Sequence, residues 1–402
     1  MASNLLDQAM KVFMAGTLYS AQKSKQAWNK FQNRISGKNG NNKSLFDTNV
    51  LVGNLKLSNR IVMAPMTRCR AINNVPNSLM VEYYEQRNSA GLIITESTSP
   101  SPNGLGLARI PGIFSEQQVE AWRNVTLAVH QGDAKIFVQL MHSGRASHPL
   151  NMPEGTKIMA PSALKATGQI WTDAEQLQDY PIPEEMTEAD IQLTKYEFVA
   201  AAKNAIDAGF DGVEIHAANG FLLEQFLSPR SNIRTDDFGG NIQNRCRLIL
   251  EIVADVAEAI GKDKTSIRLS PFGMVSETTV YPKIDDTFKY MAEKLNFIDI
   301  AFMHLVAHSD MGNTAMLQDV KREIRRDFKN TLILSGGYNQ KSALDDIENE
   351  LGDLVAFGRP FINNPDLVTR FKYNLPLATE LKSENLYTSS ALGYTDYPNH
   401  LD

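Results

Sequence analysis

A single eight-stranded α/β barrel, (β/α)8, is the fold this sequence predicts, and three observations predict it. Eight short runs rich in Val, Ile and Leu recur along the chain with little polar alternation, as strands buried on both faces require. Amphipathic stretches with helix-start and helix-stop residues separate them. Glycines and polar residues concentrate just after the runs, at the strand ends where such barrels build their sites. The 402-residue chain is 43% hydrophobic, ample for one large core, and a barrel of this class takes about 250 residues as one domain.

The runs are 61–66, 92–96, 136–140, 212–216, 266–270, 298–304, 332–335 and 354–357. Helices are expected over 115–130, 187–208, 245–260, 285–295, 315–328, 341–350 and 365–373. The second opens on Thr187 with Asp190 three residues on, a capping-box pattern with Asp in place of Glu. Its apolar positions Ile191, Phe198, Val199, Ala202 and Ile206 share a face, and Gly209 stands where a left-handed cap belongs. Residues 141–186 contain no barrel helix and are expected to cover the barrel mouth with a small hairpin. An open doubly wound sheet is the alternative, but no G-x-G-x-x-G follows the first run.

Net charge is −6, which gives no general affinity for nucleic acid. Two cysteines, Cys69 and Cys246, make neither a disulfide framework nor a Cys-rich metal site, and no metal is expected. No apolar run reaches the roughly 18 residues of a membrane helix, and no secretory leader pattern is present; a cytoplasmic location is the expectation. Residues 1–43 differ from the rest. They hold seven basic residues and one acid, a charge of +6 against −12 for residues 44–402. Loosely helical apolar spacing precedes a linker, GKNGNNK, at 37–43. This extension reads either as a helix packed on the barrel or a mobile arm, or as a targeting peptide or a basic helix touching a membrane or protein. Few arginines weaken the targeting reading.

The candidate chemistry lies at the strand ends. After the seventh run come Gly336 and Gly337, and after the eighth Gly358 and Arg359. Glycines let backbone N–H groups approach an anion, and the guanidinium adds fixed charge, so these two loops suit a phosphomonoester. His216 and Asn219, three apart after the fourth run, can donate to one oxygen and so polarise a carbonyl; a satisfied buried histidine is the bland alternative. Thr67, Gln139 and Arg268 bring a hydroxyl, an amide and a guanidinium into an otherwise apolar mouth, and need a polar ligand. A flat heterocycle would serve.

The segment HAANGFLLEQFLSP (216–229), followed by NIRTDDFGG (232–240), resembles the signature of the Old Yellow Enzyme family. NR at 59–60, APMTR at 64–68, QLMHSGR at 139–145, RLSP at 268–271, GRPF at 358–361, NPD at 364–366 and GYTDYP at 393–398 match it in order. The resemblance implies non-covalently bound FMN, NADPH or NADH as reductant, and hydride delivery to the β-carbon of an activated alkene. It implies that Pro65, Met66 and Thr67 lie along the flavin, with Ser97 beside it, Gln139 at the pyrimidine edge and Arg268 near N1. Gly336, Gly337, Gly358 and Arg359 would hold the phosphate. His216 and Asn219 would grip the substrate carbonyl; Met141, Phe272 and Tyr387 would line the substrate pocket, with Leu386 beside Tyr387 in the covering C-terminal segment.

Two departures stand out. Ser97 replaces a glycine or alanine, with little expected effect. Phe221 stands where most members place a tyrosine that protonates the substrate α-carbon, and a phenyl ring has no proton to give. Cys69, two residues beyond Thr67, is expected to pack rather than tune the flavin. The resemblance therefore implies an ene-reductase; an alkene isomerase, an impaired reductase and a non-catalytic flavoprotein stay open. Dihydropyrimidine oxidation is disfavoured, since no serine or cysteine base is identifiable. A small-molecule substrate and a monomer or homodimer are expected.

Overall fold

The computed structural model describes residues 43–48, 50–271, 273, 281–307 and 314–400. Residues 1–42 of the basic extension and the expected pocket residue Phe272 lie outside the described residues.

Eight parallel strands close into a barrel: β1 Ile61–Met63, β2 Leu92–Thr98, β3 Lys135–Leu140, β4 Gly212–Ala217, β5 Thr265–Leu269, β6 Phe302–Val306, β7 Thr331–Ser335 and β8 Leu354–Phe357. Each pairs with the next in sequence, and β8 returns to β1. The helices are α1 Ser78–Glu85, α2 Glu116–Val129, α3 Glu188–Asp207, α4 Leu222–Leu227, α5 Ile242–Ile260, α6 Ile284–Ile298, α7 Thr314–Asp327, α8 Gln340–Glu348, α9 Arg359–Asn363 and α10 Leu367–Tyr373. The capping box expected at Thr187 is present, with Asp190 returning a bond to the Thr187 N–H. Gly209 takes φ +88°, the left-handed turn that ends α3.

Two layers of apolar packing hold the barrel. The outer layer joins strands to helices and includes Trp122, Phe198, Ile249, Val253 and Phe288. The inner layer fills the barrel floor with Val62, Leu92, Phe137, Phe302, Ile333 and Leu354. The antiparallel pair Val50–Val52 and Leu55–Leu57 plugs that floor through Val50, Val52 and Leu57. Gly212 starts β4 because Phe137 fills the space beside it: a Cβ would meet the ring at 2.4 Å.

Several boundaries differ from the sequence reading. The sixth strand begins at Phe302, not at residue 298, because α6 carries its apolar face through Ile298 and ends on Asp299 in left-handed backbone (φ +66°). An apolar run that straddles a helix end and a strand start cannot be divided by periodicity alone. The first strand stops at Met63, two residues before Pro65, which has no N–H for a ladder bond. The second continues to Thr98 through a bulge, and the last helix begins at Leu367 rather than at Pro365. Helices α1, α4 and α9 were not anticipated. The hairpin expected within 141–186 is Gln169–Thr172 paired with Gln176–Asp179.

Candidate active site

The barrel interior changes character from floor to mouth. Above Phe137, Phe302 and Ile333, the inward positions two residues further along turn polar: Gln139 on β3, Glu214 and His216 on β4, Arg268 on β5, His304 on β6 and Ser335 on β7. A residue every second position keeps one face of a strand, which is why the polar set alternates with outward-facing aliphatics in V-E-I-H and F-M-H-L. Ser97 joins the set through the bulge: the register between β2 and β3 shifts between Ile94 and Ser97. The one extra residue turns Ser97 inward to pair with Gln139.

Five of these groups, Ser97, Gln139, Glu214, His304 and Ser335, form one chain of hydrogen bonds. Ser97 Oγ donates to Gln139 Oε1 (3.0 Å), and Gln139 Nε2 donates to Glu214 Oε1 (2.7 Å). Glu214 Oε2 meets His304 Nδ1 at 2.8 Å, and His304 Nε2 meets Ser335 Oγ at 3.0 Å. Strands β4 and β6 are not neighbours, so the Glu214–His304 contact crosses the barrel interior.

His216 and Arg268 sit one step nearer the mouth, paired in register on β4 and β5. Both are buried, and His216 Nδ1 and Arg268 Nε have no hydrogen-bond partner among the described residues. Desolvation, reinforced by Arg268 and His304, holds His216 well below the usual imidazole range, so the ring is neutral. Desolvation also lowers Arg268, opposed by the attraction of Glu214. A neutral imidazole donor and a buried cation with orphaned atoms await polar partners in the mouth.

Phe221 lies against His216, ring centroids 5.1 Å apart and planes at 73°. It packs with Leu105, Ile110 and Met141, so one wall of the mouth is apolar. Asn219 is half-buried in left-handed backbone (φ +59°), and its N–H donates to Ser270 Oγ at 3.0 Å. The glutamate of α4, Glu224, binds both Ser270 Oγ and the Gly220 N–H, fixing this turn.

Pro65, Met66 and Thr67 follow β1, next to β8 in the barrel. Gly336 (φ +114°) and Gly337 (φ +68°) follow β7, and Gly358 and Arg359 follow β8. Strands β7 and β8 are neighbours, so the two glycine loops stand side by side. Gly337 and Arg359 are exposed, while Met66, Thr67, Gly336 and Gly358 are half-buried. Gly358 has no heavy atom within 3.4 Å of where a Cβ would stand, and its nearest neighbour there is Met66 Sδ.

The Tyr387 side chain is exposed, and its carbonyl accepts from Arg109. Arg109 also reaches the Cys69 carbonyl at 2.8 Å and pairs with Asp173 of the hairpin. Leu386 offers its carbonyl to Arg68 (3.1 Å) and Arg70 (2.5 Å). The C-terminal segment is thus fastened beside the loop after β1. Desolvation pushes the Cys69 thiol up to about 12, which leaves it an unreactive packing group.

Sequence reasoning missed Glu214, His304 and Ser335, although each interrupts an apolar strand at an inward position. It also missed Glu96, which the bulge turns outward to the Arg68 N–H (3.3 Å) and whose own N–H donates to Tyr84 Oη (2.8 Å). Desolvation pushes Glu96 up to about 7, against the pull of Arg68 and Arg70.

The buried histidines make stability pH-dependent. Desolvation lowers His142 to about 3 and lowers His216 and His304 as well. Each binds a proton on unfolding once pH falls below about 6.5, the unfolded value, so its contribution is intact above that pH and lost below it. Glu96, pushed up to about 7, and Glu197, raised by burial, act oppositely, releasing protons on unfolding above about 4.5. Three histidines outweigh two carboxyls, so unfolding takes up protons and stability falls with acidification, about 1.4 kcal/mol per pH unit for each net proton. Urea midpoints measured at pH 7 and pH 5 should drop on going to pH 5; an unchanged or higher midpoint contradicts it.

Residues 44–378 match the NADH:flavin oxidoreductase / NADH oxidase family. Among curated relatives, 12-oxophytodienoate reductase 7 of Oryza sativa subsp. japonica is 36% identical over 364 residues, covering 85% of this chain and 91% of its own. A probable flavin mononucleotide-dependent alkene reductase of Leishmania infantum is 39% identical over 354 residues, covering 87% and 96%. Among solved structures, a morphinone reductase mutant in complex with tetrahydroNAD superposes with a TM-score of 0.85 at 39% identity, over 89% of this chain and 98% of that one. The old yellow enzyme homologue from Zymomonas mobilis gives 0.83 at 39% identity, over 89% and 99%.

The mouth fits the cofactor of that family. Gln139 has an amide with capacity left on both atoms, Arg268 carries an unpartnered Nε, and Gly358, in the loop beside Gly336 and Gly337, is open on its Cβ side as an approaching phosphate would need. By sequence, fold and the chemistry of its barrel mouth, the chain belongs to the NADH:flavin oxidoreductase / NADH oxidase family, the Old Yellow Enzyme family of FMN-dependent oxidoreductases.

Proposed function

We propose that this protein takes reducing equivalents from NADPH or NADH and reduces the activated C=C bond of α,β-unsaturated carbonyl compounds. The observation that carries the reading is His216: a neutral buried imidazole with an unpartnered nitrogen, facing an apolar wall and flanked by Arg268. A donor of this kind binds an oxygen without bringing a full charge, and its bond strengthens as negative charge grows on that oxygen. The names of the relatives, an alkene reductase and a 12-oxophytodienoate reductase, support the substrate class. The tetrahydroNAD bound by a morphinone reductase supports a nicotinamide reductant.

FMN, when bound, supplies the hydride chemistry between nicotinamide and alkene. Thr67, Gln139 and Arg268 hold its ring, with Pro65, Met66 and Ser97 alongside, and Gly336, Gly337, Gly358 and Arg359 hold its phosphate. His216 and Asn219 donate to the substrate carbonyl, drawing electron density away from the β-carbon. Met141 and Tyr387 border the substrate. Phe221 shapes the pocket but cannot protonate the α-carbon, so that proton comes from water. A second reading, alkene isomerisation, rests on the same residue.

Stopped flow tests this. NADPH-reduced protein mixed anaerobically with cyclohexenone or a maleimide should be reoxidised faster than in buffer alone; no acceleration with any activated alkene overturns the reading.

A further inference from the structure

Gln139 and Arg268 do not stand alone in the barrel, and what stands behind them has no part in the reading above. Glu214 occupies the centre of that arrangement. Its side chain is fully buried, as is that of His304. One oxygen accepts from Gln139 Nε2 at 2.7 Å and the other faces His304 Nδ1 at 2.8 Å. The far nitrogen of His304 meets Ser335 Oγ at 3.0 Å; the same oxygen lies 3.2 Å from the Leu305 carbonyl, and its one proton serves the imidazole or the carbonyl, not both.

An isolated glutamine amide can turn over, exchanging its donor and acceptor. Here it cannot do so freely. A carboxylate only accepts, so Nε2 must face Glu214, and Oε1 is thereby left to accept from the Ser97 hydroxyl at 3.0 Å. The pair leaves one N–H and one lone pair of Gln139 for a ligand, in a fixed order. Arg268 stands on the neighbouring strand β5, two positions beyond the Ser266 that pairs with Glu214, so the same carboxylate acts on it and opposes the lowering of its pKa by burial.

We propose that Glu214, braced by His304 and Ser335, is a positioning residue of the cofactor site. It sets which edge of the Gln139 amide is presented at the mouth, and supplies the counter-charge that tempers Arg268. The inference rests on the assignment of Gln139 and Arg268 to the flavin ring. Reduction adds negative charge to the bound cofactor. Removing the Glu214 charge leaves Arg268 unopposed in a dry interior, where charges act strongly. The reduced form then gains affinity relative to the oxidised one.

The experiment uses FMN-loaded protein and measures two quantities that need no alkene: the two-electron midpoint potential of bound FMN, and its dissociation constant. Glu214→Gln keeps the shape and removes the charge. It should favour the reduced form at least tenfold, a rise of about 30 mV, whereas Glu214→Asp, with the charge retained, should move the potential by less than half of that. An unchanged or lowered potential in Glu214→Gln overturns the proposal. If that variant does not fold, His304→Gln decides: the carboxylate remains but its brace is altered. FMN should then bind at least tenfold more weakly, and affinity within twofold of the parent overturns the proposal. Gln139→Leu and Arg268→Met are measured alongside. If they too leave both quantities unchanged, the assignment of the flavin site has failed. If they shift and the Glu214 and His304 variants do not, only the present inference has.

Discussion

Replacing Phe221 by tyrosine should raise the rate of net alkene reduction by about 10²–10⁴, the usual contribution of a positioned general acid. The ring already stands at the mouth, in edge contact with His216 and in the apolar cluster of Leu105, Ile110 and Met141. Phe221 is half-buried, so a para-hydroxyl can reach solvent or substrate. The folding cost should stay within the roughly 1–3 kcal/mol range of one poorly paired buried hydroxyl. The proton that now comes from water would come from the phenol, on one face of the alkene. Steady-state turnover with cyclohexenone measures the rate. Products formed in deuterated water from a substituted enone report whether deuterium enters the α-carbon on a single face. A parent protein that isomerises its alkene should pass to the reduced product in the variant. Unaltered rate and product distribution would remove Phe221 from the proton's path.

Substitution of Arg70 by methionine should cost about 2–5 kcal/mol, since each buried acceptor left unpaired costs about 1–3 kcal/mol and several carbonyls lose their donor at once. Arg70 is fully buried at the junction of the loop after β1 and the C-terminal segment. Its guanidinium reaches the carbonyls of Asn385 (3.0 Å), Leu386 (2.5 Å), Ser390 (3.3 Å) and Leu392 (2.9 Å), and the Thr388 hydroxyl (2.7 Å). It also stacks on the Tyr394 ring at 4.6 Å. Desolvation, helped by repulsion from Arg68, lowers Arg70 to about 10, which leaves it charged at neutral pH. Methionine fills much of the volume and satisfies none of those oxygens. The denaturant midpoint should fall, and limited proteolysis should open first between residues 385 and 394. Cleavage elsewhere with the midpoint preserved would mean that other contacts hold this segment, Arg68 through the Gly393 carbonyl being the nearest.

The fold was largely legible because a barrel repeats a local pattern. Buried parallel strands leave continuous apolar runs, and caps such as Thr187 with Asp190 act within one turn of chain. The errors fell where two elements share one apolar run, as at Ile298, or where a short helix such as α4 carries its own hydrophobic surface. The mouth was legible in part for the same reason. His216, Asn219, Gln139 and Arg268 stand at strand ends, and the closed order of strands brings strand ends together.

What the sequence determined by itself was therefore the barrel, the strand-end residues and the family they resemble, since each is written in short-range spacing. Tertiary structure alone decided the β2 bulge that turns Ser97 inward and Glu96 outward, the contact of Glu214 with His304 across 90 residues, and the arginine clamp on the C-terminal segment. Those pairings join positions far apart in the chain, and no local spacing encodes them. They arise because closing the barrel takes polar groups out of water, and each must then find its partner among whatever the neighbouring strands present.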